Sequence, residues 1–196
     1  MTKQEQKAQL RQTIRKLDAA LSEKYRTLSN QAIAAHLLAM PEYQAAGTVF
    51  CFVSMGTEID THPILEQILH SGKALCVPRC EASAGVFTLR MVTDLSQLSI
   101  GSYGIAEPSE DAPLLSPDQV DFAILPCMTC DHYGHRLGRG GGYYDRFLSH
   151  YRSGSVLLCR EKLIREEIPL EPLDMPVPWV LTEAGLYEDG IPARLG

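Results

Sequence analysis

The stretch Gly134-His-Arg-Leu-Gly-Arg-Gly-Gly-Gly-Tyr-Tyr-Asp-Arg-Phe-Leu148 says more about the fold than any other part of the chain. Four of its glycines fall within five positions, at Gly138, Gly140, Gly141 and Gly142. An apolar run at residues 122–125 precedes it, and an amphipathic segment begins near Tyr143. This order predicts a strand, a glycine-rich loop that can approach a ligand closely, and a helix that directs its free N–H groups at an anion.

Fixed charges accompany these glycines. Arg136 and Arg139 lie in the loop, and Asp145 follows within one helical turn. A polyphosphate with a divalent ion requires such cations, N–H donors and a carboxylate. The loop is not a P-loop, because G-x-x-x-x-G-K-[ST] does not occur, and Tyr143 replaces the third glycine of the dinucleotide pattern G-x-G-x-x-G. On composition alone, a glycine-rich turn that binds nothing is the alternative.

Length and composition are typical of a small globular enzyme. The 196 residues predict a single domain over 1–196, with 45% hydrophobic and 21% charged residues. A net charge of −6 argues against nucleic acid as a partner. No apolar run is long enough to span a membrane, and the N-terminal segment is polar, so we expect no membrane association and a cytoplasmic location.

Hydrophobic periodicity alternates between helical and strand patterns along the chain. It predicts helices at residues 2–21, 29–40, 61–70 and 143–151, and strands at 48–53, 74–77, 87–91, 122–125, 155–159 and 180–182. We therefore expect an α/β three-layer sandwich, a mostly parallel sheet with helices on both faces. Ligands of such sheets bind beyond the carboxyl ends of the strands, where the glycine-rich loop would lie.

Six cysteines lie in or beside apolar runs, which favours buried, reduced thiols. Cys127 and Cys130 have C-x-x-C spacing. A zinc site would need two more ligands, and the sequence holds no second C-x-x-C or H-x₃₋₅-H pair. Core packing is therefore the favoured interpretation over metal or redox chemistry.

Further polar residues have ordinary interpretations when each is taken alone. Lys7 and Arg11 lie four positions apart on one helix face, which by itself favours a solvated surface. Glu58 follows a strand and reads as an exposed loop acid, although a carboxylate there can accept paired N–H bonds from a heterocycle. Asp174 reads as a turn residue near prolines.

Residues 134–146 resemble the G-x-R-L-G-x-G-x-G-Y-Y-D-R signature of the 5-formyltetrahydrofolate cyclo-ligase family. Two further segments resemble that family, K-x-x-x-R at Lys7–Arg11 and S-x-x-x-E-[IVL]-[DE]-T at residues 54–61. The 103–108 segment also resembles a family element, and its role does not follow from the residues. The resemblance covers nearly the whole chain and is most specific at residues 126–148.

The resemblance implies a site for MgATP and a folate. Its nucleotide-binding residues would be Lys7, Arg11, Arg136, Gly138, Arg139, Gly140, Gly141, Gly142 and Tyr144. Its substrate-binding residues would be Val53, Met55, Glu58, Arg139, Gly140, Gly141, Gly142 and Tyr143. Catalysis would fall to Arg139, Arg136 and Lys7, and Asp145 and Asp174 would hold Mg²⁺.

The implied reaction is ATP-dependent cyclisation of 5-formyltetrahydrofolate, with or without a polyglutamate tail, to 5,10-methenyltetrahydrofolate, and we expect a monomer. Two positions depart from the family pattern: Cys130 replaces an aromatic residue and Pro178 an acid. They leave open a non-catalytic folate- or nucleotide-binding paralogue on the same scaffold. A sugar-phosphate isomerase or acyl-CoA transferase on a similar sheet is the other alternative, and neither of these needs ATP.

Overall fold

A computed structural model describes residues 1–83, 85–101 and 104–195. The α-helices are α1 (Lys3–Ala19), α2 (Glu23–Ala39), α3 (Pro41–Ala45), α4 (His62–His70) and α5 (Tyr143–His150). The strands are β1 (Thr48–Cys51), β2 (Ala74–Cys80), β3 (Phe87–Val92), β4 (Leu98–Ile100), β5 (Ala106–Pro108), β6 (Leu114–Leu115), β7 (Phe122–Pro126), β8 (Thr129–Cys130), β9 (Arg136–Leu137), β10 (Gly154–Leu158), β11 (Trp179–Thr182), β12 (Gly185–Glu188) and β13 (Ile191–Ala193). Short 3₁₀ helices occupy Leu95–Gln97, Pro117–Gln119 and Glu161–Leu163.

Within the described residues, nine strands form the main sheet in the order β13-β12-β11-β10-β7-β1-β2-β3-β6. Its central strands, from β11 to β2, are parallel. Antiparallel strands extend the sheet at each end, β3 and β6 on one side and β12 and β13 on the other. The parallel centre fixes which loops share an edge, because the carboxyl ends of its strands all point the same way.

Alternating side chains of the central strands supply two separate cores. Val49 and Cys51 of β1 pack with Leu37 of α2 and Leu65 of α4. Phe50, between them, packs on the opposite face with α5, where its ring lies 5.1 Å from that of Phe147. Because strand side chains alternate in direction, helices cover both faces of the sheet. The predicted three-layer α/β class with helices on both faces is therefore confirmed.

The predicted elements are present, with shifted bounds. Thr2 and Glu5 form the capping box that starts α1. The second helix begins six residues earlier than predicted, because Ser22 accepts a hydrogen bond from the Tyr25 backbone N–H and caps it. Strands β6, β12 and β13 and the β4–β5 and β8–β9 pairs were not predicted, since short strands carry little periodicity. Tyr103 lies outside the described residues, and the remainder of its segment contains β5.

The turn between β8 and β9 packs closely against the segment that leads into β11. The backbone N–H of Val177 donates to the carbonyl of Gly134. Gly134 has φ +82°, and a Cβ built on it would lie 1.8 Å from the Val177 carbonyl oxygen. Only glycine fits here, because any side chain would overlap the neighbouring backbone.

No helix among the described residues is long and apolar enough to cross a membrane.

We predict that Gly134→Ala lowers the free energy of unfolding by several kcal/mol, since backbone strain and a backbone clash add together. Gly72→Ala is the matched control, because Gly72 has φ +76° and nothing within 4 Å of the added Cβ. Only the left-handed strain of about 1 kcal/mol should appear there. Urea denaturation measures both values. Equal losses in the two variants would mean that the contact with Val177 relaxes.

Candidate active site

The glycine-rich loop lies at the carboxyl edge of the parallel strands, between β9 and α5. Gly140 and Gly142 have φ +103° and +69°, so the backbone uses the left-handed conformations that the sequence predicts. Gly142 occupies the N-cap position of α5. Because glycine has no side chain, no side-chain hydrogen bond caps the first N–H groups of this helix. Among the described residues, no acceptor is found for the backbone N–H groups of Gly140, Gly141 and Gly142. The loop therefore presents hydrogen-bond donors and the positive end of a helix dipole.

Two arginines border this loop. The Arg11 guanidinium donates through Nε to the Gly138 carbonyl at 2.8 Å, and a Cβ on Gly140 would lie 3.4 Å from Arg11 Cζ. Arg136 is buried, and its Nη2 donates to Asp145 Oδ1 at 2.7 Å. Its Nε is also buried and has no hydrogen-bond partner among the described residues. An unpartnered buried N–H on a cation is costly, and an anionic ligand would satisfy it.

Lys7 reaches the site from α1. Its buried ammonium donates to Asp174 Oδ2 at 2.6 Å and to Glu171 Oε2 at 2.8 Å. Burial alone would lower the pKa of Lys7, but the hydrogen bonds from its ammonium to Asp174 and Glu171 raise the pKa overall. The lysine therefore stays charged, and α1 places it one helical turn from Arg11 on the same face.

Glu58 and Arg139 join the loop between β1 and α4 to the glycine-rich loop. Arg139 Nη2 donates to Glu58 Oε1 at 2.8 Å, and the backbone N–H of Met55 donates to Glu58 Oε2 at 3.0 Å. The Arg139 side chain is 62% exposed, whereas that of Glu58 is 20% exposed. Arg139 is the more exposed partner, and solvent weakens such an ion pair, so a ligand can compete with Glu58 for Arg139.

A cavity of about 110 Å³ opens beside this ion pair, at the carboxyl ends of β1, β7 and β10. Its lining includes Phe52, Glu58, Cys127, Arg139 and Cys159. The cleft therefore combines apolar and charged groups, as ligand sites commonly do. It lies beyond the carboxyl ends of the strands, where the sequence predicts the ligand. A neighbouring cavity of about 300 Å³ extends past Met55, and Arg26, Asp60 and Arg160 contribute to its lining.

The other predicted site residues differ in burial and in the contacts that they make. Tyr143 stacks on Phe87 at 6.3 Å, and Tyr144 lies under the Arg136 guanidinium at 5.8 Å. Burial raises the pKa of Tyr144, so its phenol stays neutral. Val53 is buried in the core beside β1, whereas Met55 is half-buried at the loop. The two predicted metal carboxylates, Asp145 and Asp174, are each held by a different cation.

Sequence reasoning missed two residues of this region. Glu171 shares Lys7 with Asp174, and only its position three residues before Asp174 could have indicated it. Arg146 closes the quoted signature, and its guanidinium donates to the carbonyls of Gly85 and Gly141. Arg146 thereby links the glycine-rich loop to the turn before β3. The spacing of residues in the sequence does not indicate this contact.

Comparison with known proteins identifies the family of this chain. The model of the 5-formyltetrahydrofolate cyclo-ligase family matches residues 3–183. The 5-formyltetrahydrofolate cyclo-ligase of Escherichia coli K12 is 33% identical over 180 residues, covering 89% of this chain and 99% of its own. The mouse 5-formyltetrahydrofolate cyclo-ligase is 29% identical over 189 residues, covering 90% of this chain and 91% of its own.

Among solved structures, the NMR structure of Aquifex aeolicus 5,10-methenyltetrahydrofolate synthetase superposes with a TM-score of 0.82. It is 27% identical, and the superposition covers 97% of this chain and 96% of the other. Sequence and fold thus give the same assignment over nearly the whole length. This chain is an enzyme that belongs to the 5-formyltetrahydrofolate cyclo-ligase family.

Proposed function

We propose that this ligase cyclises 5-formyltetrahydrofolate to 5,10-methenyltetrahydrofolate, using MgATP and releasing ADP and phosphate. The observation that carries the proposal is the glycine-rich loop with its unpaired N–H groups and two adjoining arginines, Arg11 and Arg136. Donors and cations arranged in this way bind phosphate groups.

The reaction needs activation of an amide oxygen. The formyl oxygen of the folate attacks the γ-phosphorus of ATP, forming an O–P bond as the bond to ADP breaks. N10 then attacks the formyl carbon, phosphate leaves with that oxygen, and N10 loses its proton to give the methenyl bridge. Both nucleophiles belong to the substrate, so the protein contributes alignment and charge stabilisation rather than a nucleophile of its own.

Cations of this chain would neutralise the charge that spreads over the transferred phosphoryl group. Arg11 and Arg136 adjoin the glycine-rich loop, and Lys7 lies one turn from Arg11 on the same face of α1. Arg139, exposed at the cavity rim, would leave Glu58 and turn to the phosphate. The backbone of Gly140 to Gly142 would hold the phosphate oxygens, and Tyr144 would line the nucleotide side.

The carboxylates present fit a magnesium ion bound with phosphate. Mg²⁺ uses one or two carboxylates and completes its shell with phosphate oxygens and water. Asp145 is 27% exposed, and its Oδ2 has no hydrogen bond or ion pair within the described part of the chain. Asp174 is held by Lys7, which arriving phosphate can attract. When bound, magnesium would reduce phosphate charge and favour attack at phosphorus.

Glu58 would recognise the pterin. Its carboxylate lies at the cavity with Oε2 fixed by the Met55 backbone N–H. The amino group and ring nitrogen of a pterin offer paired N–H donors to such a carboxylate. Tyr143, stacked on Phe87, and half-buried Met55 would supply apolar contacts beside it.

The first experiment follows near-ultraviolet absorbance of the purified protein with 5-formyltetrahydrofolate, Mg²⁺ and ATP. The methenyl product has an extended conjugated system that the substrate lacks. We expect its band to grow only when all three compounds are present. If folded protein binds ATP and the folate but the trace stays flat, the chain is a non-catalytic binder, and Cys130 and Pro178 are the first departures to examine.

For Glu58→Gln we predict folate binding about ten- to a hundredfold weaker, with MgATP affinity unchanged, because one charge-assisted hydrogen bond is lost. Glu66→Gln, an exposed acid on α4, is the matched control and should bind as the wild type does. Calorimetric titration with each ligand measures both affinities. Parallel loss of folate and nucleotide binding would show instead that Glu58 only supports the loop.

For Asp145→Ala we expect turnover to be abolished at ordinary Mg²⁺ concentrations. The apparent Mg²⁺ affinity in the presence of ATP should fall by at least about tenfold, since a ligand of the metal is removed. The rate as a function of Mg²⁺ concentration, at saturating folate, measures the shift. A wild-type Mg²⁺ dependence would remove Asp145 from the site, whatever the change in stability.

A further inference from the structure

Three thiols outside the proposed reaction meet at the carboxyl edge of the sheet. Leu158 pairs with Pro126 in the parallel register of β10 and β7, so the residues that follow, Cys159 and Cys127, are neighbours. The β8 strand returns Cys130 to the same place. The Sγ atoms of Cys127, Cys130 and Cys159 all lie within 4.8 Å of one another.

These distances suit a tetrahedral thiolate site. With a Zn–S bond of about 2.3 Å, two sulfurs of a tetrahedron lie roughly 3.8 Å apart, so the three thiols need to approach by at most about 1 Å. Cys130 and Cys159 are buried, which limits their motion. Cys127 and Cys159 also line the 110 Å³ cavity, which leaves a fourth position accessible from that side.

We propose that Cys127, Cys130 and Cys159 form a binding site for a zinc-like divalent cation, with three thiolate ligands and a fourth position facing the cavity. Soft sulfur ligands select zinc over magnesium or calcium, so this site is distinct from the carboxylates proposed for MgATP. The C-x-x-C pair alone lacked partners in the sequence. The sheet register supplies the third ligand from 29 residues further along the chain.

Neighbouring charges favour the bound state. Three thiolates and a divalent ion carry a net charge of −1, which is costly to bury without a cation nearby. Arg136 lies opposite Cys130 in the β8–β9 pair, and its buried Nε lacks a partner among the described residues. Arg160 directly follows Cys159 and is buried, with its guanidinium held by Ser29 and Asn30.

The test is a Co²⁺ titration of the metal-free protein, kept reduced by a phosphine that does not bind the ion. We expect one equivalent of Co²⁺ to produce a thiolate-to-cobalt charge-transfer band and the strong visible bands of tetrahedral Co²⁺, and Zn²⁺ to remove both. Only the weak visible absorption of octahedral Co²⁺, with no charge-transfer band, would overturn the proposal.

Two variants and one labelling measurement identify the ligands. Cys127→Ser changes a half-buried ligand and should weaken Co²⁺ binding at least about tenfold. Cys80→Ser changes a half-buried thiol outside the cluster and should bind like the wild type. An unchanged charge-transfer band in Cys127→Ser would overturn the assignment.

The labelling measurement uses wild-type protein and so does not depend on how a variant folds. Zn²⁺ should protect Cys127, but not Cys80, from alkylation as mapped by mass spectrometry, and equal labelling of Cys127 with and without Zn²⁺ would overturn the proposal. Neither readout involves folate turnover, so the outcome is independent of the proposed cyclisation.

Discussion

The parallel register of β1, β7 and β10 brings the main polar loops of the site to one edge of the sheet. Because these adjacent strands run the same way, the loops that follow them leave from one edge of the sheet. Glu58 follows β1, the glycine-rich loop follows β7 by way of the β8–β9 hairpin, and Cys159 follows β10. Two packed cores, one on each face, hold this edge in place. A shift of one residue in the register would send Phe50 and its neighbours to the wrong faces and separate these loops.

Ion pairs neutralise most of the charged side chains at this edge of the sheet when no ligand is bound. Three of the four cations assigned to phosphate contact an acid assigned to metal or folate: Lys7 with Asp174, Arg136 with Asp145, and Arg139 with Glu58. Such pairs prevent repulsion among like charges and limit the desolvation cost of the buried members. In the proposed reaction, ligand binding would exchange these partners and would not leave the charges unpaired. Arg139 is the easiest to exchange because it is the most exposed, whereas Lys7 has two carboxylates to leave.

The elements that depend on neighbouring residues in the chain could be predicted from the sequence. The glycine-rich loop, the α5 helix and the parallel strands follow from residue type and periodicity, and the family signature adds a proposed role for residues such as Glu58. Contacts between distant segments could not be read in this way. Glu171 joins Lys7 across 164 residues, and Cys159 joins Cys127 only through the pairing of β10 with β7. The short edge strands were missed because two to four residues do not establish a period.

The ion pair between Lys7 and Asp174 spans 167 residues, and this has a consequence for synthesis on the ribosome. At about 5–20 residues per second, roughly ten to thirty seconds separate the translation of α1 from that of its acidic partners. During that interval Lys7 lacks its carboxylates, and for most of it Arg11 also lacks the Gly138 carbonyl. The α1 helix can therefore make its charged contacts only after residues 138 to 174 have emerged, long after the helix itself.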